Sequence, residues 1–267
     1  MTNQLFSGFL LAVLVAITAW QFHSLSTSGA LSAALIGTII FGLGGWKWAV
    51  ILLTFFISSS LLSRLFSKQK SDLSEKFEKG NQRDMSQVLA NGGIAALFTI
   101  LHYFFSSALW PWVGFIASMA AVNADTWATE LGVLNPGYPR LMTNFKKVEK
   151  GTSGAISPIG TLASLGGASL IAILAALLLP DRNPFLILGI VSVAGFLGSL
   201  FDSFLGATVQ AIYTCPTCKK ETERHPIHRC GAKTIQIRGI KWINNDLVNT
   251  GCALAGSVFG LFFLWIF

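Results

Sequence analysis

Residues 85–124 read MSQVLANGGIAALFTILHYFFSSALWPWVGFIASMAAVNA and contain no Asp, Glu, Lys or Arg. This uncharged stretch is long enough for two helices that each cross a bilayer, because one crossing needs roughly 17–25 apolar residues. Pro111, between Trp110 and Trp112, marks the turn between the two helices. The stretch therefore predicts a helical hairpin in a membrane.

The rest of the chain has the same apolar character. Of its 267 residues, 52% are hydrophobic and 12% are charged, and the mean hydropathy is +0.61. Soluble domains carry roughly 25% charged residues, and transmembrane barrels alternate in hydrophobicity over roughly ten residues, so both classes are excluded. We predict an all-α, polytopic membrane bundle in one domain, 1–267, with about eight transmembrane helices. These helices are expected near 4–22, 28–44, 47–66, 86–108, 111–131, 155–179, 184–209 and 246–267.

Basic residues gather in three polar loops. The loops at 64–84, 132–154 and 210–245 carry 6, 4 and 7 of the 19 Lys and Arg residues. Because basic loops stay on the cytosolic side, we expect all three loops in the cytosol and both termini outside. The first apolar run lacks the basic residues that precede a secretory signal, so we interpret it as a retained helix. These features predict a prokaryotic plasma-membrane protein surrounded by lipid, with no nucleic-acid partner.

Four carboxylates fall at the cytosolic ends of predicted helices: Asp125, Glu130, Asp202 and Asp246. Charged groups at membrane depth are costly and usually functional. Mg²⁺ takes one or two carboxylates and leaves its other positions to water and phosphate, so the acids favour a magnesium site. The alternative is a structural role in capping and in bonds between helices. Polar residues expected at the same depth are Asn91, Asn123, Thr129 and Asn245.

Helix geometry limits how two of these acids can act together. Asp125 and Glu130 are five residues apart and do not share one face of a helix. We therefore expect them to face one ligand only if the helix ends or bends near Glu130.

The loop after helix five has the composition of an anion site. Lys-Gly-Thr-Ser-Gly at 150–154 offers a cation, hydroxyl groups and backbone N–H groups to a phosphate, although it is not a Walker A motif. The alternative is a basic loop that only sets the topology, with Thr152 or Ser153 capping helix six. Because the loop directly follows Asp125 and Glu130, we expect it to bind phosphate. The proposed phosphate ligands in this loop are Arg140, Lys146, Lys147, Lys150, Gly151, Thr152, Ser153 and Gly154.

The last loop contains a second cluster of potential metal ligands. Cys215-Pro-Thr-Cys218, His228 and Cys230 have the spacing of a small zinc knuckle with four ligands. A redox-active pair of Cys215 and Cys218, or unliganded thiols, are the alternatives. The loop is therefore a candidate for structural zinc.

Four strings carry a resemblance to a known family. They are NADTWATELG at 123–132, PRL, KKV and KGTSGAIS within 139–157, GSLFDSFLGATVQ at 198–210 and IRGIKWINNDLVN at 237–249. They resemble the integral-membrane family that includes plant phytyl-phosphate kinase and many bacterial and archaeal proteins. The resemblance implies a kinase that transfers a phosphate from a nucleoside triphosphate, CTP or another, to a prenyl monophosphate such as phytyl phosphate.

Such a kinase would use the residues already described. Asp125, Glu130, Asp202 and Lys150 would be catalytic, and Asp246 would join the three acids around Mg²⁺. Asn91, Asn123, Thr129 and Asn245 would join the loop residues in binding the substrate and nucleotide phosphates. The alternative function is a transporter or channel with acids along an ion pathway, for which acids near the bilayer midplane and broken helices are expected.

Overall fold

A computed structural model describes residues 2–67, 76, 82–179 and 182–267. The described chain is mostly helical, and each of the eight predicted helices is present. The helices are α1 Thr2–Gln21, α2 Thr27–Ile39, α3 Trp46–Leu65, α4 Met85–Phe104, α5 Trp110–Gly132, α6 Pro158–Leu178, α7 Pro184–Thr208 and α8 Asn245–Ile266.

Three helix boundaries differ from the prediction by three or more residues. Helix α4 ends at Phe104 rather than near residue 108. A π-helical turn at Ile40–Gly44 follows α2, and the chain reverses at Gly45 with φ +80°. Helix α6 begins at Pro158 rather than near residue 155, because Ser157 caps it: Ser157 Oγ accepts from the Gly160 N–H at 3.2 Å. Capping by Thr152 or Ser153 was therefore a wrong alternative.

Helix α5 lies at the centre of the bundle. Its residues Pro111–Ala124 are buried without interruption, and it packs against α3, α4, α6, α7 and α8. Within the described chain, seven helices are long and apolar enough to cross a membrane, and α5 is the exception. Since its neighbours cover it, α5 does not need an apolar surface toward lipid.

The outer helices present the apolar surface that a bilayer would cover. Leu177, Phe185 and Trp265 are 71%, 81% and 84% exposed. Toward the centre, small residues permit close packing instead. A Cβ added to Gly256 of α8 would lie 2.5 Å from Ala121 Cβ of α5, and Ser257 Oγ donates to Gly114 O at 2.9 Å. Close contact and hydrogen bonds thus hold α8 against α5.

Two small antiparallel sheets lie between the helices. Strand β1 (Arg140–Leu141) pairs with β2 (Ala155–Ile156) and closes the loop between α5 and α6. Strands β3 (Ile212–Thr214), β4 (Glu221–Thr222) and β5 (Ile235–Arg238) form a sheet of order β4-β3-β5 between α7 and α8. Residues 211–238 are called the ribbon below.

Candidate functional site

A cavity of about 700 Å³, the polar cavity, lies where alternating ends of six helices meet. The C-terminal ends of α3, α5 and α7 and the N-terminal ends of α4, α6 and α8 reach it, because consecutive antiparallel helices of similar length finish at the same level. Twelve of the predicted site residues line it. They are Asn91, Asp125, Thr129, Glu130, Lys150, Gly151, Thr152, Ser153, Gly154, Asp202, Asn245 and Asp246.

All four predicted acids line this one cavity although they come from three helices. Helix α5 stays regular through Gly132, which leaves Asp125 and Glu130 about 140° apart around its axis. The cavity is wide enough, and α5 ends close enough to Glu130, for both to reach it. The sequence predicts a shared site only if the helix ends or bends near Glu130, and α5 ends two residues later, at Gly132.

The acids are held in different ways. Glu130 is 6% exposed, accepts from Ser63 Oγ at 2.7 Å and interacts with the charge of Arg83. Asp202 interacts electrostatically with Asp125 and Glu223, and its Oδ2 is buried with no hydrogen-bond partner among the described residues. Repelling carboxylates with an unused buried oxygen are a donor set that a hard divalent cation would stabilise.

The loop 150–154 lies against the end of α7. A Cβ on Gly154 (φ +76°) would fall 2.2 Å from Ala207 N, and a Cβ on Gly206 would fall 2.7 Å from Ser153 Oγ. Lys150 Nζ donates to Val133 O at 3.1 Å, next to the end of α5. The loop is therefore fixed between α5 and α7, with its lysine at the wall of the polar cavity.

Four predicted residues do not line the polar cavity. Asn123 is fully buried between helices, where its amide donates to Gly167 O at 2.8 Å and accepts from Ser58 Oγ at 3.0 Å. Arg140, Lys146 and Lys147 are exposed, and Arg140 donates to Phe145 O at 2.9 Å. Asn123 is used in packing, and the three cations lie on the outer side of their loop.

The structure adds cavity residues that the sequence reasoning missed. The most informative are Arg83, Arg224 and Arg229. Arg83 precedes α4, donates to Ser59 Oγ at 2.9 Å, and lies over the rings of Phe55 and Phe56. Burial lowers the pKa of Arg83 to about 10, against the opposing effect of Glu130. A lone arginine next to the capping residue Asp84 was the only sequence signal for this position.

An apolar groove leads away from the polar cavity. It has a volume of about 70 Å³ and lies among α1, α2, α3 and α4. Arg83, Gln87 and Asn91 line both the groove and the polar cavity. An amphipathic molecule could therefore place a charged end in the polar cavity and an apolar end in the groove.

The second predicted ligand cluster also assembles. The ligand atoms of Cys215, Cys218, His228 and Cys230 all lie within 4.8 Å of one another. Cys215 Sγ and Cys230 Sγ are 3.5 Å apart, and His228 Nδ1 lies 3.2 Å from Cys230 Sγ and 3.7 Å from Cys218 Sγ. Donors at zinc bond lengths in a tetrahedron are separated by roughly 3.3–3.8 Å, so the cluster could hold such an ion.

The thiols of this cluster differ in acidity. The Cys218 backbone N–H donates to Cys215 Sγ at 3.4 Å and lowers the pKa of Cys215. Hydrogen bonding with Cys230 raises the pKa of Cys218 to about 11. A bound cation would oppose this rise, because metal ligation requires the thiolates.

Comparison with known proteins identifies relatives over nearly the whole chain. The profile of a family described as integral membrane protein DUF92 matches residues 10–257. Protein PGR of Arabidopsis thaliana is 30% identical over 92% of this chain and 91% of its own length. An uncharacterised membrane protein of Methanocaldococcus jannaschii is 37% identical over 76% of this chain and 82% of its own length.

A further plant relative is more distant. Protein VTE6, chloroplastic, of Arabidopsis thaliana is 26% identical over 88% of this chain and 63% of its own length. No solved structure matches the chain. The family expected from the four sequence strings is confirmed by these matches.

Proposed function

This chain belongs to the DUF92 family of integral membrane proteins, and from that premise we propose that it is a membrane-embedded prenyl-phosphate kinase. The family includes plant phytyl-phosphate kinase. In the proposed reaction, an oxygen of a prenyl monophosphate such as phytyl phosphate attacks the terminal phosphorus of a nucleoside triphosphate. The bond from that phosphorus to the bridging oxygen breaks, and the products are a prenyl diphosphate and a nucleoside diphosphate.

One observation carries this proposal: the four acids, the 150–154 loop and the end of an apolar groove meet at one cavity. Phosphoryl transfer depends mainly on positioning and on neutralising phosphate charge. The water-soluble nucleotide, which donates the phosphate, would need only the polar cavity. The adjoining groove accounts for an acceptor that has an apolar tail.

The acids provide the metal site of the proposed kinase. Asp125, Glu130, Asp202 and Asp246 would hold Mg²⁺, which would neutralise charge on the donor phosphates. A monophosphate acceptor is already an anion at neutral pH, so it needs little help from a general base. The acids therefore have metal binding as their main role.

The cations and the loop provide the phosphate site. Lys150 and the backbone of Gly151–Gly154 would bind the phosphates of the nucleotide, CTP or another, with Thr129, Asn91 and Asn245 completing the wall. Arg83 would bind the acceptor phosphate, because it lies where the polar cavity and the groove join. The prenyl tail would extend along the groove among α1–α4.

The ribbon cluster is proposed to hold zinc. Three thiolates and an imidazole at these separations match zinc better than the oxygen-preferring magnesium. The cluster would then be structural, with the catalytic metal in the polar cavity.

The proposed kinase acts at the cytosolic face of a prokaryotic plasma membrane, where the nucleotide is available. All three basic loops contribute residues to the wall of the polar cavity, among them Arg83, Lys150 and Arg224, which supports this orientation. A transporter would be expected to hold its acids midway along the helices. Here Glu130 and Asp246 lie at helix ends, and Asp125 and Asp202 lie about two turns before the ends of α5 and α7.

The direct test uses purified protein in liposomes with radiolabelled nucleoside triphosphates and a panel of prenyl monophosphates. We expect a labelled prenyl diphosphate to form only when Mg²⁺ is present. Shorter, water-soluble phosphate esters should give no labelled diphosphate. Glu221→Gln, an exposed acid outside the polar cavity, is the matched control for loss of one negative charge. Two results would refute the kinase: hydrolysis of the nucleotide with no prenyl diphosphate formed, or movement of ions across the liposome membrane with no transfer of phosphate.

A further inference from the structure

The ribbon supplies part of the wall of the polar cavity. Three of its residues, Glu223, Arg224 and Arg229, line the cavity. All three lie between Cys218 and Cys230 in the sequence. The two residues next to Arg229, His228 and Cys230, are both members of the cluster. The position of Arg229 is therefore set by the same few residues that would surround the metal.

Hydrogen bonds also fix the other end of this segment. Glu223 Oε1 accepts from Gln210 Nε2 at 2.8 Å, and the Arg224 N–H donates to Thr222 Oγ1 at 3.2 Å. Gln210 is 1% exposed, and its Oε1 in turn accepts from Ser153 Oγ. Gln210 thus links the base of the ribbon to the 150–154 loop.

The ribbon contributes half of the positive charge in the cavity. Of the described residues that line it, four are cationic: Arg83, Lys150, Arg224 and Arg229. Lys150 donates to Val133 O, and Arg83 is held by Ser59 and Glu130. Arg224 Nε, by contrast, is buried with no hydrogen-bond partner among the described residues. A buried guanidinium N–H group that has no partner, on a residue in the wall of the polar cavity, is suited to a phosphate oxygen.

We propose that the ribbon is a metal-dependent arm that delivers Arg224 and Arg229 to a phosphate group in the polar cavity. The proposal rests on the proposed function for the identity of that phosphate, the nucleotide being the expected source and the lipid head group the other. The bound metal closes the loop 215–230 and so fixes both arginines. Affinity for phosphate then depends on the metal in the ribbon although the metal does not touch the ligand.

The test measures binding rather than turnover, so it can succeed or fail independently of the kinase activity. Arg224→Gln and Arg229→Gln are made singly and together in the full chain. Lys233→Gln is the matched control, because Lys233 is exposed, lies in the same ribbon and does not line the cavity. For each protein the metal content and the dissociation constants for inorganic tripolyphosphate, CTP and phytyl phosphate are measured in detergent with Mg²⁺.

We expect about one zinc per chain in all four variants, because none of them changes a ligand. Each arginine variant should bind tripolyphosphate about tenfold more weakly, as loss of a charge-assisted hydrogen bond implies, and Lys233→Gln should bind it as the wild type does. Between CTP and phytyl phosphate, weaker binding of CTP alone assigns the arginines to the nucleotide, and weaker binding of phytyl phosphate alone assigns them to the lipid head group.

Removal of the metal provides the second arm of the test. Chelation should weaken tripolyphosphate binding by the wild type as much as the double arginine variant does, and should have no further effect on that variant. Wild-type affinity in the metal-loaded double variant would overturn the proposal, as would unchanged affinity after the metal is removed. Should chelation unfold the helices, the metal-loaded arginine variants alone decide the matter.

Discussion

Arg83 lies where two unlike surfaces meet. Its guanidinium contacts Ser59 and the aromatic rings of Phe55 and Phe56, and Glu130 provides a nearby opposite charge. With its pKa lowered by burial to about 10, it still carries its charge at neutral pH. A half-buried cation that keeps its charge beside an apolar groove can bind the phosphate of a lipid while the tail stays in apolar surroundings.

Arg83→Lys tests this role while keeping the charge. Lysine cannot reproduce the planar fork of arginine, so we expect the KM for a prenyl monophosphate to rise about tenfold while the KM for the nucleotide stays near the wild-type value. The measurement is steady-state kinetics with each substrate varied in turn. Arg64→Lys, at the end of α3 and outside both cavities, is the control. Equal changes in both KM values would contradict the assignment of Arg83 to the lipid.

Asp125→Asn and Asp202→Asn separate metal binding from packing. Each change removes a charge with almost no change in volume, so expression and thermal stability should remain near those of the wild type. Phosphoryl transfer should fall by about a hundredfold or more, because a neutral amide is a poor ligand for Mg²⁺. Activity at saturating Mg²⁺ is compared with that of Glu221→Gln. Normal turnover in both variants would eliminate these two acids as the metal site.

For single residues, the sequence predicts which side chains need a functional explanation better than it predicts where each side chain lies. The acids could be placed because a charge at membrane depth requires an explanation, and all four line the polar cavity. Asn123 shows the limit: its distance along α5 was apparent from the sequence, but the rotation of α5 directs it toward α3 and α6. That rotation depends on packing against five neighbouring helices, which no local pattern determines.

Among the elements, the 150–154 loop owes its position to close backbone contact with α7. Gly154 adopts φ +76°, and the space where a Cβ would lie is occupied by Ala207 N. Helix α6 begins late because the chain first forms β2 with β1 and turns at Ser157 before the helix can start. Sequence patterns locate an apolar helix, but they do not show that three residues are first used in a strand and a cap.

Gly154→Ala should damage the site through this contact. The left-handed backbone costs an L-residue about 1 kcal/mol, and the added methyl must displace Ala207 or the loop itself. We expect lower thermal stability and weaker nucleotide binding. Gly189→Ala is the control, since a Cβ there meets nothing within 4 Å and alanine favours a helix by roughly 0.5–1 kcal/mol. If the two variants were equally stable, the loop would not be held as described.

For the whole molecule, the alternation of apolar runs and basic loops was enough to predict the helices and the end at which the polar residues meet. The ribbon was predicted only as a loop with four possible ligands. Its contribution of Arg224 and Arg229 could not be foreseen, because the direction of residues 223–229 depends on the cluster at 215–230 and on Gln210. Long-range contacts of this kind leave no periodic signal in the sequence.

The predicted orientation can be measured with reporter fusions. A fluorescent protein that matures only in the cytosol should fluoresce when joined after residue 145, and alkaline phosphatase should be active when joined after residue 267. Exchanging the two reporters should give the opposite signals at each position. Cytosolic fluorescence at both positions would place the C-terminus on the side of the loops and contradict the orientation.

Helix α5 is synthesised before several of the helices that surround it in the folded protein. The neighbours that shield it from lipid include α6, α7 and α8, which leave the ribosome after it. Among the described helices α5 is not apolar enough to qualify as a membrane span, and it carries two acids, Asp125 and Glu130. We expect α5 to integrate only as the second half of a hairpin with α4. In a microsomal integration assay, α5 alone should pass into the lumen, whereas α4 and α5 together should remain in the bilayer.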